Sequence, residues 1–309
     1  METGFDAIIL GGGAAGLFCA ALAGQRGRRV LVLERAGAVG KKILISGGGR
    51  CNFTNIGAGP ANYLSANPHF AKSALSRYTP RDFLDLVEKH GIAWHEKTLG
   101  QLFCDGSARQ IVDMLLAECA RGPGPVDIRC NQDVTEVAHD GETFTVTTQD
   151  GTFTAPALVI ATGGPSIPKM GASDFAYRLA RQFGLKVVEP RPALVPLTLG
   201  GEDLLFRELS GVATEVDATA GKTTFREAAL MTHRGLSGPA ILQVSSYWKP
   251  GDAVTLDFLP RAAPDWLIEE KRDRPSATLR TVLRDHLPDR LADVLAERLG
   301  VAGDLGNVP

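Results

Sequence analysis

The chain has little cysteine: five residues (Cys19, Cys51, Cys104, Cys119 and Cys130), odd in number, widely spaced and without a CxxC pair. That argues against a zinc knuckle, a thioredoxin-like redox centre and a secreted disulfide framework, and favours a reducing compartment. A charge surplus is missing too. The 33 Lys and Arg stand against 35 Asp and Glu, a formal net charge of -2, with no basic stripe of the kind that counterion release on nucleic acid rewards. The longest uncharged run, Ala7 to Gln25, carries five glycines and follows acidic residues. It therefore reads as strand, turn and helix rather than as a membrane span or signal peptide. There is no internal repeat, and the histidines show no metal-ligand spacing, so no metal is expected. These absences predict a cytoplasmic protein with a small-molecule substrate and neither a nucleic-acid nor a membrane partner.

What the chain has in excess is glycine, 35 of 309 residues, about 11% against a usual ~7%. It is bunched at Gly11 to Gly13 and Gly47 to Gly49, which points to loops whose backbone lines a ligand. Residues 6–34 read as a βαβ unit: apolar DAIIL, a small-residue helix to Gln25, and RVLVLE. A Gly-rich loop is expected from Gly40 to Asn55, with helices over Arg81 to His90 and Ala108 to Cys119. Residues 126–161 read as β, with an Asp150-Gly151 hairpin, and Asp174 to Phe183 as a helix. Three prolines (Pro190, Pro192, Pro196) mark a crossing near Glu189. Short strands are expected from 205 to 259, with a turn at Ala220-Gly221. Helices follow from Pro264, where Leu279, Val282, Leu283, Leu291, Val294, Leu295 and Leu299 keep helical spacing around a break at Pro288.

The motif that carries chemistry is Gly11-Gly12-Gly13-Ala14-Ala15-Gly16, between a strand and a helix, with the acid Glu34 ending the second strand. Gly11 permits the turn, Gly13 lets backbone approach a pyrophosphate, and Gly16 lets helix and strand pack closely. The helix start offers unpaired N–H groups to phosphate. Glu34 accepts from ribose hydroxyls and repels a 2′-phosphate, which argues against NADP in this site although Arg35 is adjacent. The segment GKKILISGGGRCNFTN, Gly40 to Asn55, has no role in a simple NAD-binding fold. Its glycines, Lys41, Lys42, Arg50 and the polar Ser46, Asn52, Thr54 and Asn55 suit a long phosphate-bearing ligand.

GGGAAGLFCA with KKILISGGGRCNFTN, ATGGPSIPKMG (Ala161 to Gly171) and MTHRGLSGPAILQVS (Met231 to Ser245) together resemble the bacterial BaiN/YhiN-like flavoproteins, NAD(P)/FAD-dependent oxidoreductases. The resemblance implies an α/β fold: a Rossmann-like FAD-binding domain with an inserted β-barrel-like and small helical region. Its boundaries fall at 1–190, a β-rich insert at 191–262 and a helical region at 263–309. Carried over by position, Gly11, Gly13, Ala14, Ala15, Gly16, Glu34 and Arg35 would hold the ADP half of FAD. Lys42, Ser46, Gly47, Gly48, Arg50, Cys51 and Asn52 would follow the pyrophosphate toward the flavin, and Val134, Ala161, Thr162 and Gly163 would complete the pocket. The family continues into a Gly-rich segment and a helix that covers the flavin. This sequence ends at LGNVP, which reads as a fragment or a shortened member, with self-association of its uncovered apolar surface as a consequence.

His233, beside Arg234 in THRGLSGP, is a candidate proton donor; a hydrogen-bonded turn is the alternative. Cys51, after Arg50, reads as a packing residue more readily than a redox one, with no second cysteine within three residues. The reading is an FAD-dependent oxidoreductase acting on a small organic substrate, with NAD(P)H as electron donor. The alternative is a non-catalytic or truncated dinucleotide-binding module; an FAD-dependent RNA-modifying enzyme would need a basic surface that the net charge of -2 does not supply.

Overall fold

The computed structural model describes Glu2 and residues 4–308. The chain divides into two compact units, Met1–Val188 and Glu189–Pro309. In the first, β1 (Ala7–Leu10), β2 (Val30–Leu33), β6 (Val126–Arg129) and β10 (Leu158–Ile160) form a parallel sheet in the order β10-β1-β2-β6. Runs such as VLVL suit it because both faces are covered: all four residues of β2 are buried.

On one face, Ile9, Val30 and Val32 pack against α1 (Ala14–Gln25) and α5 (Arg109–Ala120), with α2 (Lys41–Ile45) and α4 (Pro80–Lys89) adding Ile43 and Val87 to the same core. On the other face, Ile8, Leu10, Leu31 and Leu33 meet α6 (Phe175–Gln182) and an antiparallel sheet of β7 (Val134–His139), β8 (Phe144–Thr148) and β9 (Gly151–Ala155). A third small sheet, order β3-β5-β4, joins β3 (Asn52–Asn55), β4 (Trp94–Glu96) and β5 (Gln101–Cys104); α3 (Lys72–Arg77) precedes α4.

In the second unit, β11 (Leu197–Thr198), β12 (Ala213–Ala220), β13 (Thr223–Thr232), β14 (Gly235–Ser237) and β15 (Thr255–Asp257) form an antiparallel sheet in the order β11-β14-β13-β12-β15. The β12–β13 hairpin turns at Gly221, whose φ of 59° is in the left-handed region. Helices α7 (Pro239–Ser245), α9 (Leu279–Arg284) and α10 (Asp289–Leu299) share one core with this sheet through Val216, Met231, Ile241, Val282 and Leu291, while α8 (Trp266–Asp273) has no fully buried residue. No helix among the described residues is long and apolar enough to cross a membrane.

Two expectations need correction. The stretch Gly40 to Asn55 is not simply a loop: it holds α2, a 3-10 turn over Ser46–Gly49 and β3. Gly40 takes a left-handed φ of 71° before α2, and Ile43 anchors that single turn in the core. Likewise 205–259 is not all short strands. Pro239 opens α7 at its first turn, where a missing N–H costs nothing, and Ala240, Ile241 and Val244 are buried.

Candidate functional site

The β1–α1 turn is shaped by two glycines with different roles. Gly11 has φ 104°, and a Cβ there would lie 2.6 Å from the Ala161 carbonyl oxygen. At Gly16 a Cβ would lie 1.9 Å from the Gly11 carbonyl oxygen, so only glycine lets α1 sit this close to β1. Gly13 is different: its φ of -82° is open to any residue, and a Cβ there meets nothing within 4 Å. It begins α1 with no side-chain cap, and Ala14 and Ala15 behind it are exposed. The first-turn N–H groups of this twelve-residue helix are therefore left without a side-chain cap, the arrangement from which helix starts hold anions.

Glu34 ties the turn to the end of β2. Its Oε2 accepts from the Gly12 N–H at 2.7 Å and its Oε1 from the Ala36 N–H at 2.7 Å. Both oxygens keep a second lone pair for a ribose hydroxyl. The Gly40 N–H donates to the Gly12 carbonyl at 2.9 Å and the Ala161 N–H to that of Leu10 at 2.8 Å. The turn, the start of α2 and the end of β10 are thus bound into one rim, on which Thr162 and Gly163 are exposed. Two cations are held at this rim: Lys42 Nζ donates to Ser166 Oγ at 3.0 Å and Arg35 Nη2 to the Gly171 carbonyl at 3.0 Å.

The second glycine cluster follows α2. Gly47, Gly48 and Gly49 all have positive φ (57°, 66° and 86°), and Cys51 shares that region at 51°. The Cys51 N–H donates to the Ser46 carbonyl at 3.0 Å, and Ser46 Oγ to that of Ile43 at 2.9 Å. A Cβ at Gly47 would meet the Phe103 ring at 2.7 Å, whereas one at Gly48 meets nothing. Gly48, Arg50 and Asn52 are exposed. This is a backbone cradle open on its outer side, with one guanidinium beside it.

Cys51 is 5% exposed, and burial pushes its thiol up. The β3–β5 register pairs Asn52 with Phe103, which sets Cys104 opposite Cys51. Burial first, then the neighbouring Cys51 and Asp105, hold the Cys104 thiol at about 11. Local spacing gives no sign of this cysteine pair. Val134 is half-buried at the start of β7, two residues after Gln132, whose N–H donates to the Glu34 carbonyl at 2.9 Å. His233 belongs to the second unit, exposed between β13 and β14, where Thr232 Oγ1 rather than the imidazole makes the turn's hydrogen bonds. Sequence reasoning missed Ala36 as a partner of Glu34, and it held Gly40 and Ser166 inside its motifs without the contacts they make to Gly12 and Lys42.

The residues present fit a dinucleotide: an uncapped helix start, a carboxylate at ribose distance along the chain, a close-packed glycine turn and a second glycine cradle with cations. Comparison with known proteins agrees. Residues 5–235 match the HI0933-like protein Rossmann domain, and residues 191–306 the HI0933-like protein barrel and H2TH domain. The chain is 53% identical over 309 residues to the ribosomal RNA dihydrouridine synthase of Escherichia coli K12, covering 99% of this chain and 75% of that protein. It is 44% identical over 302 residues to the Haemophilus influenzae protein of the same name, covering 96% of this chain and 75% of the relative. It is also 29% identical over 267 residues to the 3-dehydro-bile acid delta(4,6)-reductase of Clostridium scindens, covering 82% and 64%.

The two synthases overturn the expectation of no nucleic-acid partner. Net charge misled because it sums over the whole chain. From Arg35 to Arg81 there are seven cations (Arg35, Lys41, Lys42, Arg50, Lys72, Arg77, Arg81) and not one Asp or Glu. The chain belongs to the HI0933-like family of FAD-binding Rossmann flavoenzymes.

Proposed function

We propose that the chain reduces a uridine in RNA with FAD as its cofactor and NAD(P)H as electron source. One nicotinamide hydride and one proton would add across the C5–C6 double bond of uracil, leaving dihydrouridine and NAD(P)+. The observation that carries the reading is the likeness to two ribosomal RNA dihydrouridine synthases along both units of the chain. The acid-free cationic stretch around the glycine cradle supports it.

The site supports a division of labour among the chain's own residues. The start of α1, with Gly13, Ala14 and Ala15, would receive the pyrophosphate; Glu34 would accept from the adenosine ribose; Arg35 and Lys42 would flank the phosphates. Ser46, Gly47, Gly48, Arg50, Cys51 and Asn52 would line the path toward the isoalloxazine, with Thr162 and Gly163 closing the opposite rim and Val134 beneath. When bound, FAD supplies the two-electron chemistry, and the protein supplies placement and electrostatics.

The test is a visible spectrum of the purified chain with FAD, before and after anaerobic NADH or NADPH, followed by addition of unmodified ribosomal RNA. The expected result is a flavin spectrum that bleaches and returns on adding RNA, with one uridine gaining the mass of two hydrogens. A bleached flavin that RNA leaves unchanged, with no mass gain, refutes the RNA substrate.

A further inference from the structure

The sequence between β3 and α3 is exposed in a way that packing does not explain. Every residue from Ala61 to Phe70 is exposed, and among them Tyr63 is 52%, Leu64 52% and Phe70 80% accessible. The segment is nonetheless shaped. Asn55 Oδ1 accepts from the Gly57 N–H at 2.8 Å, Asn62 Oδ1 from Gly59 at 2.9 Å, Ser65 Oγ from Asn67 at 3.2 Å and Asn67 Oδ1 from His69 at 3.0 Å. These are side-chain-closed turns that fix a backbone without burying it. The segment is also anchored. The Ile56 N–H donates to the Gly100 carbonyl at 2.9 Å, and Asn55 Nδ2 to that of Leu99 at 2.7 Å. Its entry is β3, which leaves directly from the Gly47–Gly49 cradle through Arg50 and Cys51.

Charge decides what such a surface takes. Lys72 and Arg77 are exposed on α3 at its far end and Arg50 is exposed at its near end, with no carboxylate anywhere between Arg35 and Arg81. None of these three has an ion-pair partner among the described residues. A second copy of the chain, docked about a two-fold axis, would set this cationic segment against itself. Exposed rings flanked by unpaired cations fit instead a strand with a π-face on every base and a phosphate on every residue.

We infer that Ala61–Arg77 is a single-stranded RNA platform, on which Tyr63 and Phe70 stack bases while Arg50, Lys72 and Arg77 hold the flanking phosphates. It deepens the proposed function and rests on the RNA reading. The platform feeds the strand along β3 to the glycine cradle.

The experiment is fluorescence anisotropy of a labelled, uridine-containing single-stranded oligoribonucleotide with the purified chain over a series of salt concentrations. Tyr63→Ala with Phe70→Ala should weaken binding roughly tenfold or more for each ring removed, with the salt slope unchanged. Lys72→Ala with Arg77→Ala should lower the slope of log K against log salt by about 1.4, at about 0.7 per phosphate contact. Tyr63→Phe with Phe70→Trp should bind like the parent, and FAD absorbance should be equal in all. If the parent binds RNA and the double alanine variant matches it within twofold, the platform is overturned while the RNA reading stands. If the ring variants instead change the sedimentation of the chain and leave RNA affinity intact, the segment is a self-association surface and the platform is again overturned. A parent that binds no RNA overturns both.

Discussion

Gly13 and Gly16 lie three residues apart in one turn, yet the structure separates them sharply. At Gly13 an alanine methyl meets nothing within 4 Å and the backbone is already in a region any residue adopts. Gly13→Ala therefore costs only the poorer helix cap, at most about 1 kcal/mol. In the unit Met1–Val188 that lowers Tm by no more than about 4 °C. The same methyl projects where the proposal brings the pyrophosphate onto the first turn of α1. Losing even one charge-assisted hydrogen bond weakens FAD binding by roughly ten- to a hundredfold.

At Gly16 the methyl would sit 1.9 Å from the Gly11 carbonyl oxygen and 3.1 Å from its carbon. Both are backbone atoms, so α1 must lift off β1. Overpacking costs about 1–3 kcal/mol, and a clash with rigid backbone belongs at the upper end, a Tm loss of about 6–12 °C. FAD affinity falls with it. Thermal unfolding of the apoprotein and quenching of FAD fluorescence on titration read the two effects separately. Gly13→Ala binding FAD with parental affinity refutes the pyrophosphate placement; Gly16→Ala as stable as the parent refutes the contact itself.

Two further outcomes follow from titrating groups away from the cradle. Glu118, 6% exposed, is pushed up by burial, but hydrogen bonds from His90 at 2.7 Å, Arg121 at 2.7 Å and Gln25 at 2.8 Å outweigh this and hold its carboxyl at about 2. Because the folded value lies below the unfolded one, its stabilisation is present above about pH 4.5 and is lost as pH falls toward 2. Glu118→Gln should thus cost up to about 3 kcal/mol at pH 7, and urea titrations of the two proteins should converge near pH 2; a constant gap across that range refutes the knot. Burial also holds the Cys104 and Cys119 thiols at about 11, so both are protonated and shielded at pH 8. Iodoacetamide at that pH should label Cys19 and Cys130, which are half-exposed, long before either. Labelling of Cys104 at the rate of Cys19 in the folded chain refutes its enclosure.

The βαβ start was legible because each of its rules is local: an apolar run for β1, glycines at fixed offsets, small residues along α1 and an acid after β2. Strand pairing was not. β6 and β10 join β1 and β2 in the parallel sheet, while the strands between them form a separate antiparallel layer, and both sets read from the sequence simply as β. Helix α2 escaped because five residues show less than two turns of periodicity. Pro239 followed by Ala240, Ile241 and Val244 did carry a helix-start signal in α7, but it was overshadowed by the neighbouring strands. Cys51 and Cys104 lie 53 positions apart and meet only through the β3–β5 register, so the absence of a nearby second cysteine in sequence says nothing about a nearby second thiol in space.

The cationic stretch shows the same limit for charge. At physiological ionic strength a surface charge is felt over about 8 Å, so an RNA phosphate responds to the handful of side chains around it and not to a sum over the chain. A net charge of -2 is compatible with an even mixture along the chain, and equally with a sequence stretch of seven cations and no acids; of those seven, Arg81 pairs with Asp85 at 2.7 Å and Glu88 at 2.9 Å, while Arg50, Lys72 and Arg77 make no ion pair among the described residues. Averaging over the whole chain removes the only length scale on which the interaction acts. A shorter window narrows the sum, and applied here it isolates Arg35 to Arg81, the segment that contains the second glycine cradle and the exposed rings of Tyr63 and Phe70. Within it Arg50, Lys72, Arg77, Tyr63 and Phe70 are exposed and none of the three cations is ion-paired among the described residues, whereas Arg35, Lys42 and Arg81 are engaged in contacts of the fold.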